Sequence, residues 1–442
     1  MTIRMDEGAA ELLDTLHRAG YAAYVVGGCV RDSLLGLTPH DWDLCTSALP
    51  QQGMELFGEE KCIPTGLQHG TVTVRQGGGL YEITTFRTEG TYTDGRHPDE
   101  VHFVPDVRED LARRDFTINA MAYNAKEGLV DPFGGQADLQ SGILRAVGVP
   151  HQRFTEDALR ILRLYRFAAR FGFSIDPPTA QAAQELCAHL DCVSVERIEE
   201  ELAKLLSAPA PAAYLDEKIL SVVLPELSPE ALAAAKPVVD ACPAGEQALP
   251  VRLAALLLSL GEDGTRRTLR RLRCSNACIE ETAVLVREVV SGVPGAFSSD
   301  TNRAIPSPAL LPAATGSHPS GRSSEKLPAR PPVSLNIYTR KLLGQYGLKT
   351  VQRLAALGTA LQPEHAADFA ALSELAERLD ADGVCCRVSQ LAVNGRDLMA
   401  AGVPAGPGIR KVLEALLDGV IREEYSNERQ ALLTAVQQLA AS

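Results

Sequence analysis

The stretch VVGGCVRDSLLGLTPHDWDLCT, residues 25–46, decides the reading of this chain. A short apolar run ends in Gly27-Gly28 and passes into a helix pattern that carries Arg31 and closes at Gly36. Glycine lets a backbone approach a ligand closely, and a helix N-terminus offers free N–H groups to an anion. Gly28 and Arg31 are therefore candidate phosphate contacts, the arginine as a bidentate donor. Asp41 and Asp43 follow, separated by one residue. Placed on a strand, they share a face with Cα atoms about 7 Å apart. Two such carboxylates suit Mg²⁺, which activates a hydroxyl nucleophile and neutralises a departing pyrophosphate. Alone, the first half reads as a tight strand–helix connection and the second as a pair of solvated acids. Together they predict nucleotidyl transfer from an NTP to a hydroxyl, with Asp41 and Asp43 as catalytic metal ligands.

The 442 residues suffice for about three domains. An apolar content of 45% fills real cores, and no apolar run reaches a membrane span. The first 20 residues read as an acidic amphipathic helix, not a signal or transit peptide. Ten cysteines without a C-x-x-C pair or histidine-spaced ligand set imply reduced thiols and a cytoplasmic protein. The net charge of −13 argues against indiscriminate nucleic-acid binding but leaves room for local basic patches. Strand signals (YAAYVV, DWDLCT, GTVTVR, LYEITTF, VHFVP) concentrate before residue 148, and helical periodicity dominates afterwards. The expected fold is an α+β N-terminal head with a small mixed sheet, followed by an all-α neck, body and tail. Residues 1–148 form the head, 149–208 the neck, 209–290 the body and 336–442 the tail. Residues 291–335, with 8 Pro, 9 Ser and 4 Gly, read as a flexible insertion.

A helix is predicted from Glu156. At 100° per residue, Arg163, Arg166 and Arg170 fall within about 60° of one another and Arg160 lies one step further round, opposite Ile161, Leu164, Tyr165, Ala168 and Ala169. Residues 145–170 hold six arginines against Glu156 and Asp157, a local charge of +4 that predicts a phosphate-facing surface. Asp157 and Arg160, at i and i+3, read either as a surface ion pair or as a base-reading pair. A carboxylate accepts from an exocyclic amine and an arginine donates to the neighbouring ring nitrogen or carbonyl. Such a pair accepts C and A and rejects U and G. Five arginines at 266–273, and Arg410 with Lys411 after a Gly-Pro-Gly, are candidate contacts to the backbone of a structured RNA.

The segments VVGGCVRDSLLG, DWDLCT, PTGLQHGTVTV, YEITTFR, LARRDFTINAMAYN, DPFGGQADL and EDALRILRLYRFAARFGF, in this order, closely resemble the class II nucleotidyltransferases of the DNA polymerase β-like superfamily. Bacterial tRNA 3′-end synthesising enzymes and bacterial poly(A) polymerases belong to that group, and the resemblance is closest to the former. It implies template-independent, Mg²⁺-dependent addition of C, C and A to the 3′ end of tRNA from CTP and ATP. It also implies Arg114 at the nucleotide phosphates, Asp157 and Arg160 at the base, Arg163 and Arg166 as further nucleotide contacts, and Glu82 as a candidate third carboxylate. Residues 87–104 resemble a flexible loop that full CCA-adding members carry. The alternatives are a poly(A) polymerase or partial CC- or A-adding enzyme, a non-catalytic RNA-binding protein, and a metal-dependent phosphohydrolase. The sequence leaves monomer or homodimer open.

Overall fold

The computed structural model describes residues 3–90, 100–290 and 334–441. The proline- and serine-rich segment therefore lies almost entirely outside the described residues. The chain forms two compact units, residues 1–225 and 226–442.

The first unit opens with α1 (Glu7–Arg18), whose N-cap Asp6 accepts hydrogen bonds from the backbone of Gly8 and Ala9. Then follow β1 (Ala23–Val26), α2 (Gly28–Leu34), β2 (Leu44–Thr46), α3 (Pro50–Phe57), β3 (Cys62–Gly66), β4 (Thr71–Gln76) and β5 (Gly79–Thr85). A β6 (Arg87–Glu89) and β7 (Val101–Phe103) ladder, α4 (Val107–Ala112), β8 (Ala122–Asn124), β9 (Gly128–Val130), α5 (Gly135–Ser141) and β10 (Ile143–Leu144) complete the head. Seven strands form one sheet in the order β3-β4-β5-β2-β1-β8-β9. Only β2 and β5 run parallel in it; the other neighbours are antiparallel, so the sheet is mixed as expected. The central strand β1 is buried along its whole length, which explains its unbroken apolar run, whereas β5 alternates. One sheet face packs Val25, Leu44 and Ile83 against Leu12, Leu13 and Leu16 of α1. The other packs Val26 and Cys45 against Val107 and Leu111 of α4.

Helices α6 (Pro150–Glu156), α7 (Leu159–Phe171), α8 (Pro177–Glu185), α9 (Val195–Leu206) and α10 (Glu217–Val223) follow. The predicted helix from Glu156 is thus two helices broken at Asp157, which is extended at φ −145° and ψ 105°. The apolar face of α7 is buried as expected, with Ile161, Leu164 and Ala168 at zero exposure. Strand β11 (Ser174–Ile175) pairs in parallel with β10, setting Ile143 beside Ser174 and Leu144 beside Ile175.

The second unit is helical: α11 (Pro229–Ala241), α12 (Leu249–Leu257), α13 (Gly261–Arg271), α14 (Asn276–Val290), α15 (Leu335–Tyr346), α16 (Leu348–Leu361), α17 (Ala366–Ala381), α18 (Gly395–Ala400), α19 (Gly408–Ile421) and α20 (Arg429–Ala441). Among the described residues, no helix is long and apolar enough to cross a membrane.

Candidate active site

At the C-terminal end of β1 the chain turns at Gly27, with φ +76° and ψ −119°, and enters α2. Gly27 N–H donates to the Met121 carbonyl at 3.0 Å, tying the turn to the end of the neighbouring strand. A Cβ on Gly27 would stand 2.8 Å from Nη1 of Arg114, so the glycine makes room for that guanidinium. Arg114 also pairs with the fully buried Asp110 at 3.4 Å, and its buried Nε has no hydrogen-bond partner. An unsatisfied buried guanidinium N–H beside a glycine turn is a strong attraction for an anion.

Asp41 and Asp43 lie in the extended lead-in to β2, not on the strand as expected; the ladder to β1 reaches Asp43 only through its carbonyl, which accepts from Val26 N–H at 3.0 Å. Both residues are exposed. The parallel register of Leu44 with Ile83 carries Asp43 to the side of Glu82. The surrounding atoms desolvate the Asp43 carboxyl and raise it above the usual carboxylate range, even though much of its surface is open. Glu82 and Asp41 add to the rise and Arg114 opposes it. Three acids thus share one field, although among the described residues no three His, Cys, Asp or Glu side chains form a group that could hold a metal.

Gly27→Ala should therefore raise KM for CTP and ATP alike, by roughly 10- to 100-fold, the worth of one charge-assisted contact. Gly36→Ala is the matched comparison, because Gly36 has φ +72° but nothing within 4 Å of its Cβ position. Steady-state kinetics showing the same KM rise in both variants would mean that backbone strain, not displacement of Arg114, is responsible.

The remaining predicted contacts are placed differently from expectation. Gly28 opens α2, and its Cβ position meets only Arg31 Nη2, at 3.7 Å. Arg31 is 4% exposed and does not present a free fork: Nε and Nη2 bind Asp32 at 2.8 and 2.7 Å, and Nη1 donates to Asn119 at 2.5 Å. Its guanidinium lies 5.1 and 4.9 Å from the ring centres of Phe167 and Phe171, tying α2 to α7. The arginines of α7 are not an unpaired cationic face either. Arg160 pairs with Glu156, Arg163 with Asp115, Arg166 with Glu201 and Arg170 with Asp32, at 2.7, 2.7, 2.5 and 3.3 Å. A charge count over residues 145–170 could not see carboxylates supplied by α2, α9 and the 113–119 loop.

Asp157 and Arg160 lie on either side of the helix break and do not pair with each other. Asp157 Oδ1 caps α7 by accepting from Leu159 N–H at 3.0 Å, and Arg197 donates to both carboxylate oxygens, at 3.3 and 2.8 Å. Arg160 uses three of its five donors on Glu156, the Arg153 carbonyl and the Arg113 carbonyl. Arg197, Asp115 and Glu201 were missed from the sequence. For Arg197 the only signal was an arginine three residues after Ser194, where a capping glutamate is usual. A separate cavity of about 310 Å³ lies toward the other end of β1, among Ala22, Tyr24, Phe86, Arg108 and Glu127, away from the aspartates.

Residues 23–145 match the family description "Poly A polymerase head domain", and residues 337–436 match "tRNA nucleotidyltransferase domain 2". Along the whole chain, the CCA-adding enzyme of Lactiplantibacillus plantarum is 35% identical, over 99% of this chain and 97% of its own. The chain belongs to the CCA-adding enzyme family. The CCA-adding enzyme of Geobacillus thermodenitrificans is also 35% identical, over 96% and 95% of the two chains. The crystal structure of the Bacillus stearothermophilus CCA-adding enzyme in complex with CTP superimposes with a TM-score of 0.78, at 30% identity and over 99% and 98% of the two chains. The family consists of metal-dependent tRNA nucleotidyltransferases, so this CCA-adding family member is an enzyme of CCA addition, as the sequence motifs implied.

Proposed function

We propose that this member of the family builds CCA on tRNA from CTP and ATP at Asp41 and Asp43, with Mg²⁺ as the metal. What carries this reading is Arg114, held against the Gly27 turn with an unsatisfied N–H and within the field of Asp43. The donor set suits magnesium, which is usually held by one or two carboxylates plus substrate phosphates and not by an all-protein cage. Bound there, it would activate the tRNA 3′-hydroxyl and neutralise the departing pyrophosphate. Arg114 orients the triphosphate. Asp157 accepts from the exocyclic amine of C or A, and Arg160 donates beside it through N–H groups that the protein leaves available. Arg31, Arg163 and Arg166 serve the site by fixing α2, α7 and the 113–119 loop around it.

Residues 1–148, 149–208, 209–290 and 336–442 serve as head, neck, body and tail in this reading. In the body, Arg267 and Arg270 are exposed while Arg266 and Arg271 are paired with acids; in the tail, Arg410 and Lys411 are exposed. These are the phosphate contacts we assign to tRNA. Ten unbridged cysteines support a cytoplasmic setting. Part of the 87–104 loop, at 91–99, lies outside the described residues; its base is the β6–β7 ladder.

Sequencing the products made on a tRNA transcript lacking its 3′ end tests the activity, and a homopolymer of A would identify a poly(A) polymerase instead. Asp157→Asn tests base reading. Asparagine keeps an oxygen to cap Leu159 N–H but turns an amide donor toward the base. U and G should gain on C and A by about 1–3 kcal/mol, measured with each NTP offered separately. Unchanged preference would place base selection elsewhere.

A further inference from the structure

We propose that Arg197 is a positioning residue for base selection: it holds the Asp157 carboxylate so that one acceptor site remains for the incoming base. The proposal rests on Asp157 as base reader. Asp157 lies in the extended break between α6 and α7, so no helix constrains its side chain. An ionised carboxylate has about four lone-pair sites. Leu159 N–H and Arg197 Nη1 take two on Oδ1, and Arg197 Nη2 takes one on Oδ2. One site is left, on Oδ2, and an exocyclic amine needs one acceptor. A fork on both oxygens also fixes the carboxylate plane, which a single contact cannot do.

Arg197 reaches Asp157 from the first turn of α9, 40 residues further along the chain. Arg160 cannot take over this task, because its guanidinium is committed to Glu156 and to the Arg153 and Arg113 carbonyls. Both members of the pair remain partly open, at 23% for Arg197 and 14% for Asp157, so a base edge can reach the carboxylate while the fork holds it. Without the fork, Asp157 keeps one backbone hydrogen bond and turns about its side-chain torsions. Selection then weakens while the metal carboxylates are untouched.

The test is single-nucleotide incorporation on tRNA lacking CCA, with the full chain as wild type, Arg197→Met, Arg197→Lys, Asp157→Asn and the Arg197→Met/Asp157→Asn double variant. Arg197→Met should relax the preference for C and A over U and G about tenfold, near the low end for a base contact. Arg197→Lys, which keeps the charge but loses the fork, should fall between it and wild type, and serves if the methionine variant does not fold. The double variant should select no worse than Asp157→Asn alone, because the arginine acts through the aspartate. If both Arg197 variants kept wild-type selection, with or without lower thermal stability, Arg197 would be a structural tie only. Additive losses in the double variant would also overturn the proposal. An Asp157→Asn variant with wild-type selection would instead remove the base-reading role itself.

Discussion

Asp43→Asn is expected to abolish C and A addition, by at least about a thousandfold, while unfolding at or above the wild-type temperature. A metal at the transferred phosphorus contributes several kcal/mol of transition-state stabilisation, and each 1.4 kcal/mol is tenfold in rate. The second half of the expectation comes from the field at Asp43. Desolvation, Glu82 and Asp41 raise its carboxyl, so its ionised form is disfavoured in the folded chain at neutral pH. Removing that charge relieves the repulsion. Activity and thermal melting therefore move in opposite directions, the pattern of a residue kept for chemistry at some cost in stability. Mg²⁺ should also raise the melting temperature of the wild type more than that of the variant. Substantial transfer by Asp43→Asn, or a clearly lower melting temperature without added metal, would contradict this account.

Asp115→Ala is expected to cost about 3 kcal/mol of stability. Its carboxylate accepts from Phe116 N–H, Asn119 Nδ2 and, twice, Arg163 at 2.9 and 2.7 Å. Burial alone would raise its carboxyl, but Arg163, Asn119 and Arg160 outweigh burial and hold it far below the usual range. Removal leaves Arg163 with Glu201 alone, at 3.8 Å. The lower part of the range for a broken buried pair applies because Arg163 keeps 33% of its side chain in contact with solvent. A depressed carboxyl contributes stability above its unfolded pKa and loses it as pH falls, so the difference between wild type and variant should shrink below about pH 4. Urea unfolding at pH 7 and at acid pH measures both. Equal stability of the two proteins at pH 7 would show that the pair contributes nothing net. Asp115→Ala/Arg163→Met should recover part of the loss, because no uncompensated charge is then left.

The elements legible in the sequence are those whose signal is local. The run at residues 23–26, the alternation at 79–85 and the apolar face of α7 each announce their burial. The motif order sufficed to identify the chemistry. What failed was local geometry at the very residues that carry it. Asp41 and Asp43 stop short of β2, and Asp157 interrupts a pattern that otherwise reads as one helix. Periodicity cannot detect a break whose purpose is to free a carboxylate from the helix. The arginines were misread for a different reason. Their partners Asp32, Asp115 and Glu201 are 35 to 138 residues away, so pairing depended on a fold that no window of sequence contains.

The parallel ladder of β10 with β11 has a consequence for the order in which the nascent chain can fold. Leu144, near the end of the head, cannot pair until Ile175 has been synthesised, and Arg145 also waits for Asp176. At 5–20 residues per second, those 31 residues take roughly 2–6 s. Both helices flanking Asp157 are made within that interval. A ribosome that stalls after the aspartates but before residue 174 thus releases a chain whose head lacks its closing strand partner as well as its selecting helix or that helix's anchor, Arg197. The chemistry and the discrimination mature together, so truncation does not set free an indiscriminate transferase.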